Sequence, residues 1–251
     1  YIEFVRSQDQ VSFVGSTVRM IEYYGGVSEF ISPDNLKSGV IKPDLWDPQL
    51  NRAFAEMAEH YGTFIDPCRV ARATDKAKVE RFVPVARELF RMLKELYPTA
   101  GLRELNEHAL RWCREEYGTR EHGTTGVPPI QAFQEERPTL KALPEERFVV
   151  PEWKRCPVHS GDQFLTFHKM RFSLPARWRG QQVWARYAAP ILDLYDDAYQ
   201  LIRQYVINSG ERRYWKPEDF PAGTREMMNG GYPRWIVEQA RAYGREAVAL
   251  L

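Results

Sequence analysis

The sequence predicts an α/β half followed by an all-β half. Over the first hundred residues, short β-branched and aromatic runs alternate with segments whose apolar residues recur every three or four positions. From residue 147 to about residue 206 the apolar period becomes two, which is typical of strands. A chain of 251 residues is long enough for one or two compact domains.

The α/β half is predicted to begin with a strand and to continue as alternating helices and strands. Ser7 and Gln10 form a capping-box pattern before the first helix, and Gly25 with Gly26 ends it. Asp47 followed by Pro48 marks the start of the second helix. The predicted strands are residues 1–5, 27–32 and 63–65, and the predicted helices are 7–24, 48–61 and a long helix that ends near Tyr97.

Pro84 lies inside that long helix, four residues after Glu80. In a continuous helix its ring would press on the Glu80 carbonyl and remove a hydrogen bond. The sequence therefore predicts either a kink or a later helix start. A further helix over 102–117 is predicted to bury its apolar face, which comprises Leu105, Ala109, Trp112 and Cys113.

Four segments are predicted along the chain. Residues 1–100 form the α/β core and residues 101–146 a helical linker that includes a short helix at 130–136. Residues 147–207 form a small β-barrel of about five strands, and residues 208–251 form a C-terminal tail with a terminal helix from about Trp235 to Leu250.

Charge is nearly balanced over the whole chain but is segregated locally. The formal net charge is +1, which excludes a strongly basic nucleic-acid tail. Residues 66–94 carry eight basic against four acidic side chains, and residues 153–190 carry seven against one. Both stretches are predicted to contact DNA phosphates through Arg69, Arg72, Lys76, Lys78, Arg81, Lys154, Arg155, Lys169, Arg171, Arg177 and Arg179. The tryptophans of the second stretch are predicted to be core residues.

Two carboxylates are candidates for a metal site. Asp34 follows a predicted strand, and Glu80 comes early in the long helix. Two-metal phosphoryl transfer needs acidic oxygens from different elements to converge on cations roughly 3.5–4 Å apart. A solvated or capping role is the common alternative for an acid at a strand end or a helix start.

Beyond this pair, the chain resembles the DDE transposases of the IstA type, which bacterial insertion sequences encode and which are related to retroviral integrases. The densest matching stretches are Glu22-Tyr23-Tyr24-Gly25-Gly26-Val27, Pro33-Asp34-Asn35-Leu36-Lys37-Ser38-Gly39-Val40, Glu59-His60-Tyr61-Gly62 and Asp75-Lys76-Ala77-Lys78-Val79-Glu80-Arg81. The resemblance continues more loosely through Leu105-Asn106-Glu107 and Glu152-Trp153-Lys154 to the last helix.

This resemblance implies an RNase H-like catalytic core in which three acids bind two Mg²⁺ ions, for which Mn²⁺ can substitute. Asp34 matches the second acid and Glu80 the third, as catalytic residues and metal ligands. The family's first acid lies on the first strand of the fold, so we expect the core to be incomplete here and the 251-residue chain alone to be inactive. Two carboxylates without the third hold a divalent ion weakly.

The family's reaction is the cutting of element ends and the joining of their 3′-hydroxyls to target DNA. The implied partners are the element's terminal repeats, target DNA, further copies of the chain in a synaptic complex and an AAA+ ATPase helper of the IstB type. Alternatives are a non-catalytic DNA-binding or assembly module, and another RNase H-like integrase or nuclease. We expect a cytoplasmic, nucleoid-associated protein without a membrane partner.

Other motifs point to no further chemistry. The chain has no Gly-rich phosphate loop of the Walker type, so nucleotide hydrolysis is not predicted. Cys156 and His159 have the spacing of one half of a zinc site, but a second pair is missing. Three widely spaced cysteines favour reduced thiols, and His60 is predicted to be a capping or packing residue.

Overall fold

The computed structural model describes residues 1–33, 48–65, 73–221, 224–225 and 234–243. Its contacts divide the chain into two compact units, Tyr1–Glu152 and Trp153–Leu251, which are called the first and second units below. The boundary falls between the first two residues of the strand at Glu152–Pro157. The finer division at residues 100, 146 and 207 remains a prediction.

The first unit alternates helices and strands, as the sequence predicts. Its two strands pair in parallel, with Phe30 opposite Phe64 and Ile31 opposite Ile65. The elements are α1 (Gln10–Tyr24), β1 (Phe30–Ile31), α2 (Pro48–Tyr61), β2 (Phe64–Ile65), α3 (Ala73–Leu96), α4 (Leu102–Trp112) with a π-helical turn at Cys113–Tyr117, and α5 (Pro129–Glu136). No helix among the residues placed by the structure is long and apolar enough to span a membrane.

The N-terminus of α1 is capped by a different residue from the predicted one. The Asp9 carboxylate accepts a hydrogen bond of 2.8 Å from the Ser12 backbone N–H. Ser7 lies two residues too early for this contact, and its hydroxyl instead accepts from the Asp9 N–H at 3.2 Å. The predicted end is confirmed, because Gly25 adopts the left-handed conformation (φ 68°) that closes a helix.

Asp9→Ala should reduce the free energy of unfolding of the first unit by about 1 kcal/mol, since an N-cap is lost. Hydrogen bonds from Ser12 and Ser7 hold the pKa of Asp9 below its usual value despite a small opposing effect of burial. The cap therefore contributes fully above about pH 4, and its contribution disappears as the pH falls through the folded-state pKa. Urea unfolding at neutral and acidic pH measures this, with Asp9→Asn as the control that keeps the cap without the charge.

The core beside α3 and α4 also contains the first residues of the chain. Ile2 is buried with Leu89, Leu93, Leu105, Ala109, Trp112 and Cys113. The strand expected at residues 1–5 is wrong, because the hydrogen-bonding groups of Phe4 pair with a side chain and not with a neighbouring strand. The Asn106 carboxamide accepts from the Phe4 N–H at 2.7 Å and donates to the Phe4 carbonyl at 3.0 Å.

Of the two alternatives predicted at Pro84, the later helix start is wrong, since α3 begins at Ala73 and continues through Pro84. The kink stays a prediction. Pro84 is exposed, so water can replace the hydrogen bond that its ring removes. The predicted 102–117 helix is confirmed as α4 and its π-helical turn, with all four predicted core residues buried.

The second unit is a pair of sheets that share one core. The strands are β3 (Glu152–Pro157), β4 (Phe164–Phe167), β5 (Met170–Ser173), β6 (Gln182–Ala188), β7 (Ile191–Tyr195), β8 (Leu201–Val206) and β9 (Arg213–Tyr214). One sheet has the order β3-β6-β7-β8 and the other β4-β5-β9. The all-β prediction holds, but the expected closed barrel is not found among these strands and is corrected to two sheets.

Part of the predicted tail belongs to this β-structure. β9 pairs in parallel with β5, and Tyr214 and Phe220 are buried in the second unit. The predicted terminal helix is described as α6 (Arg234–Tyr243). The sequence pattern missed β9 because two residues are too few to show a period.

Candidate active site and nucleic-acid interface

The two strands of the first unit's sheet end at the same edge of that sheet. Because β1 and β2 are parallel, the chain leaves both strands at the same edge of the sheet. Asp34 follows the end of β1 by three residues, and α3 follows β2 after the connection of residues 66–72. Sites in parallel sheets form at this carboxyl edge, so the topology is compatible with a convergence of Asp34 and Glu80.

The individual ligand positions are described only in part. Asp34 lies outside the residues described by the structure, and Glu80 lies in the third turn of α3 without a described side chain. Within the described ranges, no group of three His, Cys, Asp or Glu side chains could hold a metal ion. The predicted metal site therefore remains a prediction.

The structure also describes the predicted basic residues near Glu80 only in part. Arg69 and Arg72 lie outside the described residues, and Lys76, Lys78 and Arg81 are on α3 without described side chains. Since α3 begins at Ala73, both lysines are helical. Further along α3, Arg87, Arg91 and Lys94 are exposed.

In the second unit, three of the predicted DNA-binding arginines have side-chain partners within the unit. Arg155 lies 2.9 Å from Asp197, and Arg171 pairs with Asp162. Arg179 donates to the Gln163 side chain at 2.8 Å. The charge count over 153–190 missed Asp197 because that acid comes after the counted stretch, so the basic surface is weaker than the sequence suggests.

The other three predicted DNA-binding residues of this unit are exposed. These are Lys154, Lys169 and Arg177. The tryptophans are core residues, as predicted: Trp153 and Trp184 are buried, and Trp178 packs against the core. Base stacking on these rings is therefore not supported.

Asp162 and Phe164 organise the arginines on the outer face of the three-stranded sheet. Burial alone would raise the pKa of Asp162, but the Phe164 backbone N–H, Arg171 and His159 together hold that pKa below its usual value. The guanidinium groups of Arg171 and Arg213 lie 4.8 and 4.7 Å from the centre of the Phe164 ring. His159 lies 3.1 Å from Asp162.

A cleft of about 460 Å³ lies at the β4–β5 turn. It is lined by His168 and Lys169 from the β4–β5 turn, by Met170 at the start of β5, and by Gly210, Glu211 and Arg212 from the loop before β9. Sequence reasoning included Lys169 but missed Arg212, which it assigned to the tail. The β5–β9 pairing, visible only in three dimensions, brings the two cations to one cleft.

His60, in the first unit, behaves as predicted. His60 Nε2 lies 2.9 Å from the Glu146 carbonyl, and its ring packs against Tyr61 and Phe148. These contacts make His60 a packing residue. Cys113 and Cys156 are both free thiols and buried.

Several known proteins are similar to this chain in sequence, and their names agree with one another. A Mycobacterium tuberculosis protein named putative transposase is 34% identical over 197 residues, covering 78% of this chain and 47% of that protein. The relatives of this chain are named as transposases. A Sinorhizobium fredii protein of that name is 31% identical over 248 residues, covering 98% of this chain and 47% of its own length.

Several relatives are named for specific insertion sequences. The transposase for insertion sequence element IS21 of Pseudomonas aeruginosa is 29% identical over 179 residues, covering 71% of this chain and 45% of its own length. The chain thus spans about half the length of the curated relatives that it matches. No protein-family model matches the chain.

Proposed function

We propose that this chain is part of a DNA transposase of an IS21-like bacterial insertion sequence, of the IstA type. Its reaction is the hydrolysis of a phosphodiester at each element end, followed by attack of the freed 3′-hydroxyl on a phosphodiester of target DNA. The observation that carries the proposal is the parallel β1–β2 pair, whose common edge leads to Asp34 and to the helix of Glu80. The names of the relatives support the same reading.

In this proposal Asp34 and Glu80 are two of three acidic ligands in an RNase H-like core. Carboxylate oxygens are the hard ligands that Mg²⁺ prefers, and Mn²⁺ accepts the same set. When bound, the two ions would activate the attacking oxygen and stabilise the leaving oxygen. The basic residues around Glu80 hold the DNA backbone, which orients the phosphodiester for in-line attack.

The proposed partners are DNA at the element ends and the target, further copies of the chain, and an AAA+ ATPase helper of the IstB type. A nucleoid-associated location in the bacterial cytoplasm follows from this function. The main alternative is a DNA-binding or assembly module without catalysis. The presence of both Asp34 and Glu80 argues against that alternative. The same two acids also fit a second alternative, another integrase or nuclease of the superfamily.

Mn²⁺ binding by the 251-residue chain tests the metal assignment. Because two carboxylates make an incomplete ligand set, we expect weak binding, with a Kd of about 1 mM or above. Asp34→Asn and Glu80→Gln should each weaken it about tenfold, as one charged ligand is lost. Electron paramagnetic resonance of free Mn²⁺ measures the titration, and circular dichroism checks that each variant is folded.

Glu88→Gln is the matched control for Glu80→Gln, because Glu88 is an exposed acid on the same helix. It should leave Mn²⁺ binding unchanged. A folded chain that binds no Mn²⁺, or one equally affected by Glu88→Gln, would favour the non-catalytic module. We also expect no joining of element ends by this chain alone in Mg²⁺, and efficient joining would show that its ligand set is sufficient.

A further inference from the structure

The turn between β4 and β5 has a backbone that its residues do not favour. Phe167 pairs with Met170, so the loop consists of His168 and Lys169 alone. Their φ angles are 45° and 65°, both in the left-handed region. Two-residue hairpin turns of this kind are normally made by Asn-Gly, because side chains with a Cβ are disfavoured there.

Packing explains the other left-handed residues of the second unit but not Lys169. Gln163 is buried and donates to the Asp219 carbonyl, and Tyr199 packs against Trp153 and Trp184. His168 stacks on Phe167, with ring centres 4.2 Å apart. Lys169 is exposed and has no hydrogen bond, ion pair or ring contact within the described part of the chain.

Lys169 lies instead on the rim of the 460 Å³ cleft, together with Arg212. The loop that carries Arg212 is fixed to the turn's own hairpin, because the Arg212 carbonyl accepts a 2.9 Å hydrogen bond from the Arg171 N–H. Two cations and one acid, Glu211, line the cleft, which leaves an excess of one positive charge. An ammonium and a guanidinium at the rim of an open cleft suit a phosphate group.

We propose that this cleft binds a backbone phosphate of DNA, with Lys169 and Arg212 as its donors. The strained turn is kept because it holds the Lys169 ammonium at the cleft, a cost in stability that serves binding. This assignment rests on the proposed function for its ligand, because it takes DNA as the source of the phosphate. The assignment adds Arg212 to the predicted DNA interface and places Lys169 at the cleft, with a backbone phosphate as its partner.

Lys169→Gly gives the sharpest test, since stability and binding should change in opposite directions. Glycine relieves the left-handed backbone, so the melting temperature should rise by about 3 °C. DNA affinity should fall about threefold to tenfold at 100 mM salt, and the slope of log K against log salt should become shallower by about 1. Fluorescence anisotropy of a labelled duplex with the full 251-residue chain measures the DNA affinity and its salt slope.

The companion variants separate charge from backbone. Arg212→Gln should produce a similar loss of affinity and slope, and Lys169→Arg should retain both because the charge remains. Arg103→Gln removes an exposed cation from α4 in the first unit and is the control for a general charge effect. It should change the affinity less than twofold.

The outcomes distinguish this proposal from the function on which it rests. If the unaltered chain binds no duplex at low salt, the proposed function fails together with this site. If the chain binds DNA and Lys169→Gly leaves affinity and slope unchanged, only the cleft assignment is overturned. Competition by inorganic phosphate at matched ionic strength should be weak, and strong competition would assign the cleft to free phosphate.

Discussion

Asp219→Ala is expected to destabilise the second unit by about 3 kcal/mol. The Asp219 carboxylate is fully buried and accepts from the Ser173 hydroxyl at 2.6 Å and from Arg203 at 2.5 Å. Removal of one partner leaves the half-buried Arg203 guanidinium without its buried counter-charge, which costs more than the pair itself contributes. Urea unfolding followed by tryptophan fluorescence measures the loss.

Asp219 belongs to a wider network of buried polar groups. The Tyr205 hydroxyl donates to the Ser173 carbonyl at 2.9 Å, and burial raises the pKa of Tyr205 to about 12, so it stays protonated as a donor. The Asp219 carbonyl accepts from the Gln163 side chain at 2.5 Å. Asp219 thus attaches the segment after β9 to β5, β8 and the loop before β4.

Glu218→Ala is the matched control, because Glu218 is the neighbouring acid and lies 3.6 Å from the same arginine. Its side chain is 59% exposed, so the loss should stay below about 0.5 kcal/mol. Arg203→Met in the Asp219→Ala background should restore part of the stability, since the unpaired charge is removed. Equal effects of Asp219→Ala and Glu218→Ala would contradict a buried-pair mechanism.

Asp219 illustrates where prediction from the sequence stops. Apolar periodicity identified α1 to α5 and the all-β half, because those elements are long enough to show a period. The two-residue strand β9 and the isolated buried Asp219 carry no such pattern, so the segment that contains them was assigned to a tail. Burial of a single acid follows from partners on other strands, which the local sequence does not reveal.

The candidate site was likewise predictable from the sequence only in part. The sequence pattern makes Asp34 and Glu80 candidate ligands and the resemblance supplies their roles, while the structure adds the parallel pairing of β1 and β2. On the second unit, residue counting found the cations but not the acids that pair with them across strands, such as Asp197 for Arg155. Arg212 became a candidate only through the pairing of β5 with β9.

Asn106→Ala is expected to destabilise the first unit by about 2 kcal/mol. The Asn106 carboxamide supplies both hydrogen bonds of the Phe4 backbone, at 2.7 and 3.0 Å. Without it, one donor and one acceptor in a partly buried segment lose their partners, and each such loss costs on the order of 1 kcal/mol. The buried Ile2 lies two residues away and loses its anchor to α4.

A local measurement distinguishes this role from a general loss of helix stability. Amide hydrogen exchange at Phe4 should accelerate more than exchange in the middle of α4, because the released segment can open without unfolding the unit. Glu107→Ala is the neighbouring control: Glu107 is exposed and lies 3.6 Å from Arg103 in a surface ion pair, so its loss should cost less than about 0.5 kcal/mol. If exchange at Phe4 is unchanged in Asn106→Ala, the segment is held by Ile2 packing alone. The Asn106 carboxamide, which takes the place of a strand partner, would then contribute nothing to stability.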